Sequence, residues 1–209
     1  MLAHRSGRAS WWSWPPLSIV FAWTRDVEAY AAAGRDVELP QLKCPGCGRP
    51  LTVKSGYPRW AREAREWRIW IWRGRCGSCR RSHGLLPSFL LERRLDVVEV
   101  IGEGVRRSVA GEGLPKIAAE LGRPYSTVRD WRRRHRERAV ELVAELAGRV
   151  VELGGEVPRL SGETERWALA LPAVARTAAA RRLRGVVGVW TFTTLITGGR
   201  WLARTKSPP

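Results

Sequence analysis

Apolar positions along this chain change rhythm twice. Residues 67–73, Trp-Arg-Ile-Trp-Ile-Trp-Arg, crowd aromatic and β-branched side chains into a run that Gly74 closes. That density predicts a β-strand, and Leu51-Thr52-Val53 predicts a short one ahead of it. Residues 57–65 then read as a long hairpin tip rich in Arg and Trp. Beyond Pro87 the period becomes helical. Leu91, Leu95, Val98 and Val105, with Ile101 alongside, predict a helix from about Ser88 to the Gly111-Glu112-Gly113 break. Pro115 suits the first turn of a second helix running to Leu121. Gly122-Arg123-Pro124 forms a turn, and a third helix starts near Tyr125. Its stripe (Val128, Trp131, His135, Ala139, Leu142, Leu146, Val150, Leu153) steps by threes and fours, so this helix continues well past its first turns.

The flanks are less regular. Residues 1–22 read as a ragged lead-in, and residues 24–33 as a short helix with Asp26 and Glu28 in its first turn and Gly34 at its end. Gly154-Gly155 and Pro158 mark a boundary. Ser161 is placed to cap a helix with Glu163 and Glu165 in its first turn, which Pro172 interrupts or restarts. Residues 186–202 form a last element, a buried helix or strand, and Ser207-Pro208-Pro209 a frayed end. No internal repeat is present.

All four cysteines lie in two pairs, Cys44-Pro45-Gly46-Cys47 and Cys76-Gly77-Ser78-Cys79. The small residues around them let backbone curl round an ion, and four thiolates are the ligand set of a closed tetrahedral zinc site. Two disulfides or a redox pair are the alternatives; a redox thiol needs a helix start to lower its pKa, whereas Pro-Gly and Gly-Ser are knuckle sequences. Zn2+ held by Cys44, Cys47, Cys76 and Cys79 is therefore the expected cofactor. It leaves no open position for catalysis and supplies folding energy to a segment that buries little. His83 reads as a hydrogen-bonding loop residue rather than a ligand. Strand, turn and strand between two knuckles is the layout of a zinc ribbon.

Charge changes the picture further. Thirty-seven Lys and Arg oppose 20 Asp and Glu, for a net +17. Such a surplus favours a polyanionic partner through release of phosphate counterions. A GC-rich genome explains the preference for Arg over Lys but not the net charge; an acidic membrane surface is the competing partner. The apolar run at residues 11–23 loosely resembles a signal peptide, but Ser13 and Pro15-Pro16 interrupt it, and Asp26 and Glu28 precede the small-residue site Ala31-Ala32-Ala33. The uncharged residues 185–199 fall short of the roughly 20 that a membrane helix needs. The expectation is a cytoplasmic, nucleoid-associated protein with no membrane partner and no small-molecule substrate.

Residues 114–134 match the requirements of a helix-turn-helix. Ala118 falls where two helices cross and only a small side chain fits, and Gly122 falls at the tight turn. Ile117, Leu121, Val128 and Trp131 occupy positions that bury. The exposed face of the third helix is expected to carry Tyr125, Ser126, Arg129, Asp130, Arg132 and Arg133. Arg129 and Arg133, one turn apart, are placed to fork onto guanine edges. Tyr125, Ser126 and Thr127 meet phosphates at the helix N-terminus, and Arg132, Arg133, Arg134 and Arg136 clamp the backbone. In the Trp-Arg hairpin, Trp67, Trp70 and Trp72 are expected to pack in the core, with Arg62, Arg65 and Arg68 as further phosphate contacts; base stacking is the alternative.

Cys44-Pro-Gly-Cys-Gly48, Arg75-Cys-Gly-Ser-Cys79, residues 81–91 (Arg-Ser-His-Gly-Leu-Leu-Pro-Ser-Phe-Leu-Leu) and the helix-turn-helix together resemble uncharacterised bacterial zinc-ribbon/helix-turn-helix proteins. They are also similar to the N-terminal DNA-binding portion of insertion-sequence transposases. The resemblance covers residues 35–140 and implies a zinc-holding ribbon and a helix-turn-helix bound to transposon ends or an operator. Those transposases carry three metal-binding carboxylates on an RNase H-like fold. Here the only Asp residues are 26, 36, 96 and 130, and too little chain follows residue 155 for such a domain. The expected fold is therefore mainly α with a small β zinc ribbon. It comprises a lead-in and short helix (1–34), the ribbon (35–87), a three-helix helix-turn-helix domain (88–137) and a helical C-terminal region for dimerisation or packing (138–209). The expected function is non-enzymatic binding of double-stranded DNA, as a transcription regulator or transposase-like accessory factor, with a homodimer open. A reduced recombinase enzyme and an RNA-binding or protein-docking ribbon are the alternatives.

Overall fold

The computed structural model describes residues 18–180 and 188–203. Expectations for residues 1–17, for the start of the last element at 186–187 and for the end at 207–209 lie outside them. Strands β1 (Ser18–Phe21), β2 (Leu51–Arg62), β3 (Glu66–Cys76) and β4 (Ser82–Pro87) form one sheet in the order β1-β4-β3-β2. Strands β2, β3 and β4 are antiparallel, and β1 runs parallel to β4. The expected hairpin tip at 57–65 is instead ladder: β2 pairs with β3 from Leu51↔Cys76 to Arg62↔Glu66, and only residues 63–65 turn. Gly56 and Pro58 look like strand breakers in the sequence. The sheet order makes β2 an edge strand, where proline is tolerated. Gly56 has its own reason, because a Cβ there would meet the Trp70 indole at 2.3 Å.

The lead-in is also corrected in part, since residues 18–21 are strand β1, in register Ser18↔Gly84 to Phe21↔Pro87. Helix α1 (Val27–Ala33) starts at Asp26, whose carboxylate accepts from the Ala29 N–H at 2.6 Å, and stops at Gly34 with φ +54°. Tyr30 of α1 is fully buried against Trp23 and Phe89, and its hydroxyl donates to the Trp70 carbonyl at 3.1 Å.

Helix α2 (Val98–Val109) begins ten residues later than expected. The preceding segment pairs with the hairpin end instead: Arg62 N–H donates to the Leu95 carbonyl at 2.8 Å and Val97 N–H to the Arg62 carbonyl at 3.0 Å. Leu95 is accordingly half exposed rather than part of a helical stripe. Helices α3 (Leu114–Glu120), α4 (Tyr125–Glu152), α5 (Thr164–Ala179) and α6 (Val189–Ile196) follow. Val98, Ile101, Val105, Ile117, Val128, Trp131, Leu142, Leu146, Val150, Leu171, Phe192 and Trp201 share one core, and α4 runs unbroken across residues 137–138. Gly102 admits the Trp190 indole, which would lie 2.2 Å from a Cβ; Trp190 in turn stacks on Trp201 with centroids 5.2 Å apart. Ser161 does not cap α5. Glu163 takes that place, and the Ser161 carbonyl accepts from Trp167 Nε1 at 2.6 Å. Pro172 lies inside α5 without ending it. Among the described residues no helix is long and apolar enough to cross a membrane.

Candidate metal centre and nucleic-acid interface

The two cysteine pairs close on one another because β2 and β3 pair along their full length, setting the first knuckle beside the second. Each knuckle is built the same way. The Cys44 N–H donates to the Arg49 carbonyl and the Cys76 N–H to the Arg81 carbonyl, both at 2.8 Å. Each turn has one left-handed residue, Gly48 at φ +71° in the first and Arg80 at φ +58° in the second. All four cysteines are free, and their Sγ atoms lie within 4.8 Å of one another. The Cys44–Cys79 and Cys47–Cys76 separations are 3.5 and 3.3 Å. A tetrahedral ion with M–S bonds of about 2.3 Å needs edges of about 3.8 Å, so the cage can hold a metal ion with little adjustment. The backbone N–H of Cys79, donating to the Cys76 sulfur, leads the effects that hold this thiol down at about 6, which favours the thiolate. Cys44 and Cys76 are buried, while Cys47 faces solvent.

His83 is on strand β4 rather than in a loop. It is buried, with Nε2 3.7 Å from Cys44 Sγ, and supports that sulfur from behind. Trp67 and Trp72 pack against the sheet core but stay only partly buried. The Nε1 atoms of Trp67, Trp70 and Trp72 are shielded from solvent and have no hydrogen-bond partner among the described residues. Of the arginines set beside them, Arg65 stacks on Trp67 at 3.7 Å and pairs with Glu28, while Arg62 pairs with Asp96. Arg68 is exposed.

At the α3–α4 junction, Gly122 takes φ +61°, and Ile117, Ala118, Val128 and Trp131 are buried. Tyr125, Ser126 and Arg129 are exposed, Thr127 half-buried. Among the described residues no side chain caps the start of α4. Arg129 lies 5.7 Å from the Tyr125 ring and forms no ion pair among the described residues. The arginines that follow differ from expectation. Arg132 and Arg136 both pair with Glu165 of α5, and the Arg132 side chain is largely covered. Arg134 is buried and bonded to Asp130 at 2.7 Å. Arg133 stays exposed but pairs with Asp130 and Glu137. Asp130 itself is an internal hub, not a groove-facing group: burial works to raise its carboxyl, yet hydrogen bonds from Arg134, Arg133 and Arg94 outweigh it and hold it at about 2. The helical pitch puts residues 132–134 on three sides of α4: α5 covers Arg132, while Arg134 lies beside Arg94, Gly199 and Leu202.

A second hub escaped the sequence reading. Asp96, almost wholly buried, bonds Arg62 of β2 at 2.8 Å and Arg123 of the α3–α4 turn, and Arg123 also donates to the Glu63 carbonyl. The hairpin end is thereby fastened to the turn before α4. Its only sequence signal is an Asp in an apolar stretch, Leu95-Asp96-Val97-Val98.

Residues 44–131 match the family model of a domain of unknown function (DUF6431). No curated protein and no solved structure matches the chain. The matched stretch opens on Cys44 and closes on Trp131, taking in both knuckles, the Asp96 hub and the exposed start of α4.

Proposed function

We propose that this protein binds double-stranded DNA through α3 and α4 acting as a helix-turn-helix, beside a ribbon in which Cys44, Cys47, Cys76 and Cys79 hold a structural zinc ion. The zinc would fix the ribbon and take no part in chemistry. The observation that carries the reading is the exposed start of α4, bearing Tyr125, Ser126 and, behind a glycine turn, an Arg129 that has no ion-pair partner among the described residues. Free N–H groups and hydroxyls there suit phosphate, and an arginine without a carboxylate partner suits a guanine edge. Arg133, held by two carboxylates, is the weaker reader. Such a protein would serve as a transcription regulator or an accessory factor of a mobile element. A homodimer would use the outer face of α4, where Val140 and Val151 are exposed.

Selection of bound sequences from a random duplex pool tests the reading. Arg129→Ala is expected to lower preference for the selected site about 10- to 100-fold, as loss of one bidentate contact does, and Arg133→Ala to lower it less. Equal weakening on all sequences by Arg129→Ala would defeat the assignment.

A further inference from the structure

A cleft of about 610 Å3 opens on the sheet, away from the start of α4. Ser55, Tyr57 and Arg59 of β2 alternate in steps of two, and the ladder sets Ser55 opposite Arg73, Arg73 opposite Gly84 and Gly84 opposite Ser18. These side chains therefore share one face. Gly84 keeps the floor open: a Cβ there would sit 3.6 Å from Ser18 Oγ and 3.7 Å from the Tyr57 hydroxyl. The loop before α2 closes one side with Glu92 and Arg93.

The charges in this cleft do not balance. One Nη of Arg59 donates to the carbonyls of Leu91, at 3.1 Å, and Arg94. Among the described residues its guanidinium forms no ion pair, although it is largely covered and burial pulls its pKa down. Buried charges are ordinarily paired, because desolvating one alone is costly. Arg73 lies over the Tyr57 ring at 4.8 Å and has no carboxylate partner among the described residues. Among the described residues Arg93 reaches only Glu92, at 4.0 Å, and is one of two non-glycine residues with positive φ. Left-handed backbone at a non-glycine residue costs energy and concentrates where ligands bind. One acid, Glu92, thus faces three guanidiniums, four hydroxyls (Ser18, Ser55, Tyr57 and Ser82) and the His83 ring.

We propose that this cleft binds a small phosphate monoester of mononucleotide size, with Arg59, Arg73 and the hydroxyls of Ser18, Ser55 and Tyr57 around the phosphoryl oxygens. A dianion with oxygens in several directions matches two guanidiniums and three hydroxyl donors. The volume lies in the range of small-molecule sites rather than that of a bare ion. The monoester is either a free nucleotide or the 5′-phosphate ending a DNA strand. The inference is independent of duplex reading by α4.

Calorimetric titration of the metal-loaded full chain tests it, with four probes: adenosine monophosphate, adenosine, and a short single strand with or without its 5′-phosphate. At least one phosphorylated probe is expected to bind about tenfold or more tightly than its unphosphorylated partner, the scale of a charged hydrogen bond. Adenosine monophosphate alone would identify a free nucleotide, and the strand alone a strand end. Arg73→Gln, a change at an exposed side chain, is expected to abolish the difference without moving the melting temperature; Arg59→Met should do the same if it folds. Equal binding of phosphorylated and unphosphorylated probes, binding of neither, or a phosphate preference that survives Arg73→Gln would overturn the proposal.

Discussion

In the sheet half of the molecule Trp67, Trp70 and Trp72 stay partly exposed, and four cysteines cluster at one end of the two long strands. In the helical half Trp131, Leu142, Leu146, Leu171 and Trp201 are enclosed on all sides. Burial drives folding where helices surround an apolar stripe. A twisted hairpin has two faces to cover, and an ion at its base can supply what incomplete burial does not. Asp96 stands at the joint, binding an arginine from each half. The sheet half thus adds the cysteine cluster to a buried core of its own (Tyr30, Ile69, Ile71 and Leu85), whereas the helical half rests on its core alone.

Metal removal should split them most sharply. Zinc at a four-cysteine structural site contributes on the order of 10 kcal/mol. A chelator is expected to erase amide protection in β2–β4 while α4 and α5 stay protected, as followed by hydrogen exchange. Loss of protection in both halves together would show that they fold as one unit.

Asp96→Ala attacks the joint. It leaves Arg62 and Arg123 facing one another without their carboxylate, and breaking a buried pair in this way costs about 3–5 kcal/mol. Denaturant melts followed separately through metal content and helicity should change from one transition to two. An unchanged single transition would mean that apolar contact alone couples the halves.

Acid should act on the helical half through His135. Burial first, and the nearby Arg132 charge second, push its pKa down to about 4, while Nε2 contacts the Glu165 carbonyl at 3.1 Å and the ring abuts Trp201. The unfolded chain binds this proton near pH 6.5 and the folded chain only near 4. Stability therefore falls as pH drops from about 6.5 to about 4, by about 3 kcal/mol in all, and levels off below. Exchange of α4 and α5 amides should follow that curve, and His135→Gln should flatten it. An unchanged pH dependence in that variant would assign the loss to other groups.

Much of the helical half was legible in the chain. The stripe from Val128 to Val150 is long enough that its period is unambiguous, and Gly122 and Pro115 punctuate it. The cage was legible as well, because Cys-x-x-Cys spacing fixes each knuckle locally and leaves only their meeting to the fold. Strand β1 and the outer half of β2 were not. Four residues carry too little pattern to show a partner 66 positions away, and Pro58 signals a break unless the strand is known to lie at an edge. The start of α2 was misread because Leu91 and Leu95 fit a helical spacing by coincidence, while the backbone of 95–97 pairs with Arg62.

The arginines of α4 mark the limit most clearly. By itself the sequence determined that a helix would run through residues 125–152 and that four sulfurs would flank a hairpin, because periodicity and ligand spacing are properties of neighbouring residues. Which arginines stay free was decided only in three dimensions. Arg133 and Arg134 find Asp130 on α4 itself, but Glu165 lies 33 positions beyond Arg132, so only the packing of α5 separates the exposed Arg129 from the covered Arg132.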